Sequence, residues 1–243
     1  MFDRSALEKF EEIVKDTIPI ATEEINGVTY TKDSLKRIDP YIPRRELMEV
    51  NSLKSLVALI KSDLSNNNVN LPIRLVVDER MVSAYSELDI NLDREYLYKA
   101  RAQAPEITFD RYLSVEEMII QTQTCFVDTE NKSAFISVIS KLSKDSTVEL
   151  LDDGVTQKVK VSQGVATKSE VALSPLVRLA PYRTFFEVDQ PEQLFLVRIN
   201  QHTQVALFDA AGGMWKQQCQ EVIREYLHNE FLNEVAEGEV IIG

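Results

Sequence analysis

The stretch Leu179–Gln218, LAPYRTFFEVDQPEQLFLVRINQHTQVALFDAAGGMWKQQ, decides the fold. Its apolar residues come first in short runs, Thr184–Val188, Leu194–Ile199 and Gln204–Phe208, each bounded by turn-forming residues, which is the pattern of strands. Asn200-Gln201-His202-Thr203 fits a hairpin turn. After Gly212-Gly213 the period changes, and Trp215, Cys219, Val222, Tyr226 and Leu227 recur at helical spacing, predicting an amphipathic closing helix with its stripe on the core. Runs of strands followed by runs of helices, without regular alternation, point to an α+β fold.

Upstream the same logic repeats. Val177–Leu179 reads as a strand, and Val148–Val161 as a hairpin turning at Asp152-Asp153-Gly154. Ser114 with Glu117 forms a capping box, opening a helix whose inner face is Val115, Met118, Ile119 and Thr122. Asp128 is expected to cap a further helix carrying Ala134, Phe135, Val138, Ile139 and Leu142. Ile73–Val77, Met81–Leu88 and Glu95–Arg101 predict three adjacent antiparallel strands, the first two joined by Asp78-Glu79-Arg80. Asn51 or Ser52 caps a helix with Leu53, Leu56, Val57, Ile60 and Leu64 on one face, ended by Asn66-Asn67-Asn68.

At the N-terminus, Ser5 and Glu8 make a capping box for a helix bearing Leu7, Phe10, Ile13, Val14 and Ile18. Asn26-Gly27 turns a small hairpin within Glu24–Tyr30, and the two prolines of Asp39–Arg45 mark a linking loop. The expectation is one α+β domain over residues 1–243, with largely antiparallel sheets, helices packed on one side, and amphipathic helices at both termini. Residues 1–45 form a peripheral or oligomerisation element, and a homo-oligomer is expected, because the first and last helices offer apolar surfaces.

Composition narrows the function. A chain of 243 residues, 44% apolar, can bury a large core. A net charge of -12 opposes nucleic acid as the main partner and opposes anionic membrane, since both need concentrated Lys and Arg. No secretory leader is legible in MFDRSALEKFEEIV, and a cytoplasmic protein is expected. Cys125 and Cys219 sit in apolar contexts and read as buried thiols.

No catalytic set, metal site or cofactor is expected. His202 falls in a turn and His228 on the terminal helix; there is no zinc-ligand spacing, no HExxH and no G-x-S-x-G. Glu130-Asn131-Lys132, the nearest match to a carboxylate-lysine nuclease site, lies in a helical first turn, where capping accounts for the glutamate. Two places could bind an anion. Gly212-Gly213 before the last helix, with Lys216 behind it, offers backbone N–H groups and the helix dipole, although glycine is equally required where a strand turns sharply into a helix. Tyr182-Arg183 offers a stacking ring and a bidentate fork; the competing reading is a structural arginine bridged to Glu187 or Asp189. Arg198 lies on the strand face opposite Val197 and Ile199 and joins Arg183 if their strands are neighbours. The candidate ligand-binding set is therefore Tyr182, Arg183, Arg198, Trp215 and Lys216.

Three segments carry a family resemblance. Asn51-Ser52-Leu53-Lys54-Ser55-Leu56-Val57-Ala58-Leu59-Ile60 resembles a helix of the YfdQ-like phage and prophage proteins. Ala180–Phe185 and Ala206–Lys216 look like segments of phage proteins of similar size and order. The resemblance covers most of the chain after about residue 45 and implies a phage-encoded accessory protein in the bacterial host cytoplasm. Three functions are then in view. The first is a non-enzymatic protein that binds and sequesters a nucleotide-like host defence signal. The second is a protein-protein inhibitor or recombination-associated partner of a host factor, working through its acidic surface or terminal helix. The third is a metal-dependent nuclease or phosphodiesterase using carboxylates.

Overall fold

The computed structural model describes residues 8–9, 22–31, 45–67, 69–89, 92–142, 147–152, 157–163, 167–172 and 175–243. The chain divides into two units, Met1–Arg44 and Arg45–Gly243. In the first, β1 (Thr22–Ile25) and β2 (Val28–Thr31) form a hairpin with Ile25 opposite Val28. Asn26 and Gly27 turn it with φ of 54° and 77°, the two positive angles a two-residue primed turn needs. The expected N-terminal helix and the proline-bearing loop lie almost wholly outside the described residues.

The second unit begins with β3 (Met48–Val50) and α1 (Leu53–Ser65), continues through β4 (Ile73–Asp78), β5 (Met81–Leu88) and β6 (Arg94–Arg101), and ends with α4 (Trp215–Glu230), α5 (Leu232–Ala236) and β13 (Val240–Ile242). These strands make one sheet ordered β13-β4-β5-β6-β3, antiparallel at its centre and parallel at both edges. Ser52 caps α1, its hydroxyl accepting from Ser55 N at 3.1 Å. Leu53, Leu56, Val57 and Ile60 of α1, with Ile223 and Leu227 of α4, bury one sheet face made of Ile73, Leu75, Val77, Val82, Ala84, Tyr98 and Ala100. A bulge near Tyr85 lets both Leu97 and Tyr98 reach that core. The opposite face carries Arg74, Tyr85 and Tyr96 in one row across three strands, with Val76 and Ile241 exposed.

Between these parts lie α2 (Val115–Cys125), α3 (Glu130–Ile139) and a second sheet of β10 (Leu176–Leu179), β11 (Gln193–Ile199) and β12 (Val205–Asp209), antiparallel throughout. Met118, Phe126, Phe135 and Ile139 pack on Phe195, Val197, Ile199, Val205 and Leu207. Losing a fully buried Leu, Ile or Phe side chain at such sites costs about 2–5 kcal/mol. The free edge of β12 is covered by the preceding loop, where Asp110 N donates to Leu207 O and Leu113 N to Val205 O, both at 2.9 Å. A third antiparallel sheet, β7 (Thr147–Asp152), β8 (Gln157–Gln163) and β9 (Thr167–Ala172), pairs the arms of the hairpin expected over Val148–Val161, while Asp153-Gly154 of its expected turn lie outside the described residues. The architecture is α+β, as expected.

Four details differ from expectation. Thr129, not Asp128, caps α3, its hydroxyl accepting from Lys132 N, because Asp128 instead receives the Lys132 ammonium at 2.8 Å. Thr184–Val188 is a loop. Its backbone is satisfied without a strand partner, because Gln190 Oε1 accepts from Arg183 N and Thr184 N while Gln190 Nε2 donates to Phe185 O and Val188 O. On α4 the buried line is Cys219, Ile223 and Leu227, with Trp215 and Val222 half-buried. Cys125 is only partly buried, whereas Cys219 is fully so.

Candidate functional site

Three chain segments meet around Arg183. The loop that Gln190 ties together presents it, the turn between β4 and β5 brings Glu79 and Arg80, and the first turn of α4 brings Trp215 and Lys216. Asp209, at the end of β12, steers the chain into that helix by accepting from Ala211 N at 2.8 Å. Gly212 and Gly213 then take φ of 59° and 82°; an added Cβ would meet open space at either, so backbone conformation alone requires glycine there. Met214 caps α4 without a side-chain hydrogen bond.

Arg183 is 6% exposed. Its Nη1 donates to Gln193 Oε1 at 2.5 Å and lies 3.4 Å from Asp209 Oδ2. The guanidinium carbon stands 4.6 Å from the ring centroid of Phe109, 4.6 Å from that of Trp215 and 5.6 Å from that of Phe195. Such contacts hold a cation where water is scarce. Nε and Nη2 find no protein acceptor among the described residues. Burial lowers the Arg183 pKa; Asp209 opposes that and the nearby Arg80 adds to it. The group stays charged at neutral pH, since arginine does not deprotonate in proteins.

Arg80 is bound to the same place. Its Nε donates to Arg183 O at 3.0 Å and its guanidinium carbon lies 5.6 Å from the Trp215 centroid. No carboxylate pairs with it among the described residues. Lys216 reaches Trp215 at 5.8 Å and pairs with Glu79 at 3.5 Å, on the exposed side. Arg80, Arg183, Trp215, Phe109, Ile107 and Glu106 are among the residues lining a pocket of about 400 Å³. Buried Gln193 Nε2 beside Arg183 has no hydrogen-bond partner among the described residues, which is uncommon for a buried polar atom. Cys219 lies close enough to feel both arginines, yet burial pushes its thiol up to about 11.

Of the residues singled out in the sequence, Arg183, Trp215 and Lys216 come together. Tyr182 instead packs edge-on against the exposed Phe186 ring at 5.5 Å, and Tyr182 N donates to Cys125 O. Arg198 alternates along β11 with Gln193, Phe195 and Val197, so it sits on the face away from Arg183, and its Nη1 is buried without a partner among the described residues. Arg183 pairs with Asp209, rather than with Glu187 or Asp189. Arg80, Phe109, Gln193 and Asp209 were not legible as site residues. Arg80 reads as a hairpin-turn residue, and the 102–113 segment has no periodicity to mark Phe109.

A larger cavity of about 770 Å³ lies between the start of α2 and the 202–204 turn, with Val115, Ile119, Ile120 and Leu142 as apolar walls. Among the described residues no group of three or more His, Cys, Asp or Glu could hold a metal ion, and no helix is long and apolar enough to cross a membrane. Comparison with protein-family models, curated proteins and solved structures finds no match to this chain.

Proposed function

We propose that the Arg45–Gly243 unit is a non-enzymatic binding module for a small anionic, nucleotide-like ligand, seated in the pocket between Arg80 and Arg183. One observation carries this reading. Two guanidinium groups from distant segments converge on one pocket, and Asp209 is the only carboxylate paired with either among the described residues. Like charges brought together in a partly dry site disfavour each other, and an anion between them relieves that repulsion. The Trp215 ring is already engaged by Arg183, Arg80 and Lys216, so its role in this reading is to hold cations in place. Tyr182 and Arg198 stand outside it.

Together with the resemblance of residues 51–60, 180–185 and 206–216 to phage proteins, the pocket supports an accessory protein that sequesters a host defence signal in the bacterial cytoplasm. Thermal-shift measurements with cyclic and linear nucleotides test this: a ligand that stabilises the wild type and not Arg183→Met supports it. No shift with any of them removes it.

A second reading, capture of a host protein, is favoured by the sheet face opposite α1 and α4, where Val76 is 55% exposed and Ile241 40%. Pull-down of one host protein, lost in Val76→Asp and retained in Arg183→Met, would favour that reading over the pocket.

A further inference from the structure

Building on the anion-site reading, we infer that the Arg80–Arg183 pocket takes a ligand whose anionic group carries a single negative charge, a phosphodiester or a carboxylate on an apolar body, in preference to a doubly charged phosphate. The charges around the pocket are the reason. Arg183 already has Asp209 at 3.4 Å, and Lys216 already has Glu79 at 3.5 Å. Arg80 is the cation left without a carboxylate among the described residues. Glu106 also lines the pocket. A first negative charge meets Arg80 and the unused N–H groups of Arg183. A second meets Glu106 in the lining and Asp209 behind Arg183, and beyond them the field of a chain with net charge -12.

The remaining wall suits the body of such a ligand. Pro105, Ile107 and Phe109 are apolar, and about 400 Å³ is at the small end of pockets for organic molecules. The Nε–Nη2 edge of Arg183, without an acceptor among the described residues, matches the two in-plane oxygens of a carboxylate or the two non-bridging oxygens of a phosphodiester.

Two matched pairs of probes separate charge from chemistry: adenosine 3′,5′-cyclic monophosphate against adenosine 5′-monophosphate, and benzoate against phthalate. Each pair keeps its body and differs by one negative charge at pH 7.5, since a phosphomonoester loses its second proton at a pKa of about 6. Isothermal titration on the full chain is expected to show the singly charged member of at least one pair binding about ten-fold tighter than its partner. The pair that binds shows whether phosphodiesters or carboxylates are the natural class. Glu106→Gln, in an exposed loop position, is expected to shrink the ratio to about three-fold or less by strengthening the doubly charged probe. Equal or tighter binding of the doubly charged members, or a ratio unchanged in Glu106→Gln, overturns the single-charge inference while the anion site stands. Binding of neither pair overturns the site itself.

Discussion

Two buried cations in this fold have the same exposure and opposite surroundings. Lys132, 5% exposed in the first turn of α3, donates to Gln123 O at 3.1 Å, Phe126 O at 2.8 Å and Asp128 Oδ1 at 2.8 Å. An ammonium has three donors, and here all three are used, two on carbonyls at the end of α2 and one on the Asp128 carboxylate. Arg183, 6% exposed, gives one of its nitrogens to side-chain acceptors and rests the rest of its fork against rings and a pocket. Burial alone therefore does not identify a functional cation. Unused donor capacity beside a cavity is what sets Arg183 apart from Lys132.

The comparison breaks most readily at Lys132. Lys132→Met leaves two carbonyls and a carboxylate without their donor, and urea unfolding is expected to show a loss of about 3 kcal/mol. A loss below about 1 kcal/mol would place the two cations in one class. Arg183→Met should do the reverse. It removes a charge that burial already disfavours, so stability should move by about 1 kcal/mol or less while affinity for the proposed anionic ligand falls about 100-fold. Destabilisation equal to that of Lys132→Met would make Arg183 a structural arginine.

Cys219 sharpens the contrast through pH. Its thiol is pushed from the ordinary 9 to about 11, so the folded state holds its proton longer than the unfolded chain. The stability this gives is fully present below pH 9 and is lost as pH rises through 11, by roughly 2–3 kcal/mol. Because Arg183 pulls that thiol down, Arg183→Met should leave the onset near pH 9, carry the alkaline loss on to higher pH and enlarge it, and Lys132→Met should leave it unchanged. Denaturation curves between pH 8 and 11 read this as the difference from Cys219→Ala, in which the raised Tyr98 and Tyr226 hydroxyls still titrate. The smallest effect belongs to Gly213→Ala. Its φ of 82° strains any side chain although the space is open, so the expected cost is about 1 kcal/mol in unfolding experiments.

Local signals carried the secondary structure well. Ser52, the Ser114–Glu117 box and Asn26-Gly27 each mark a cap or turn by chemistry that acts within a few residues. The strand expected at Thr184–Val188 failed for the opposite reason: a side chain six or seven residues downstream, Gln190, takes the backbone hydrogen bonds a neighbouring strand would have taken. The short edge strands β3 and β13 have three residues each, too few to show a period, and exist by pairing with distant partners. At the site, Arg183, Trp215 and Lys216 were visible as chemistry beside a Gly-Gly turn. Arg80 and Phe109 come from segments about 70 to 100 residues upstream of Arg183, and no local pattern links them to it. Arg198 was separated from Arg183 by strand parity, once Gln193 and Phe195 took the inward face.

The pairing of Val240 with Ile73 joins residues near opposite ends of the Arg45–Gly243 unit, with the whole second sheet intervening. Closing so long a loop is entropically slow, whereas the hairpins β4-β5 and β5-β6 close early. α4 and β13 supply Ile223, Leu227 and Val240 to the layer that holds Ile73 and Leu75, so this core is complete only once segments distant in the chain have paired.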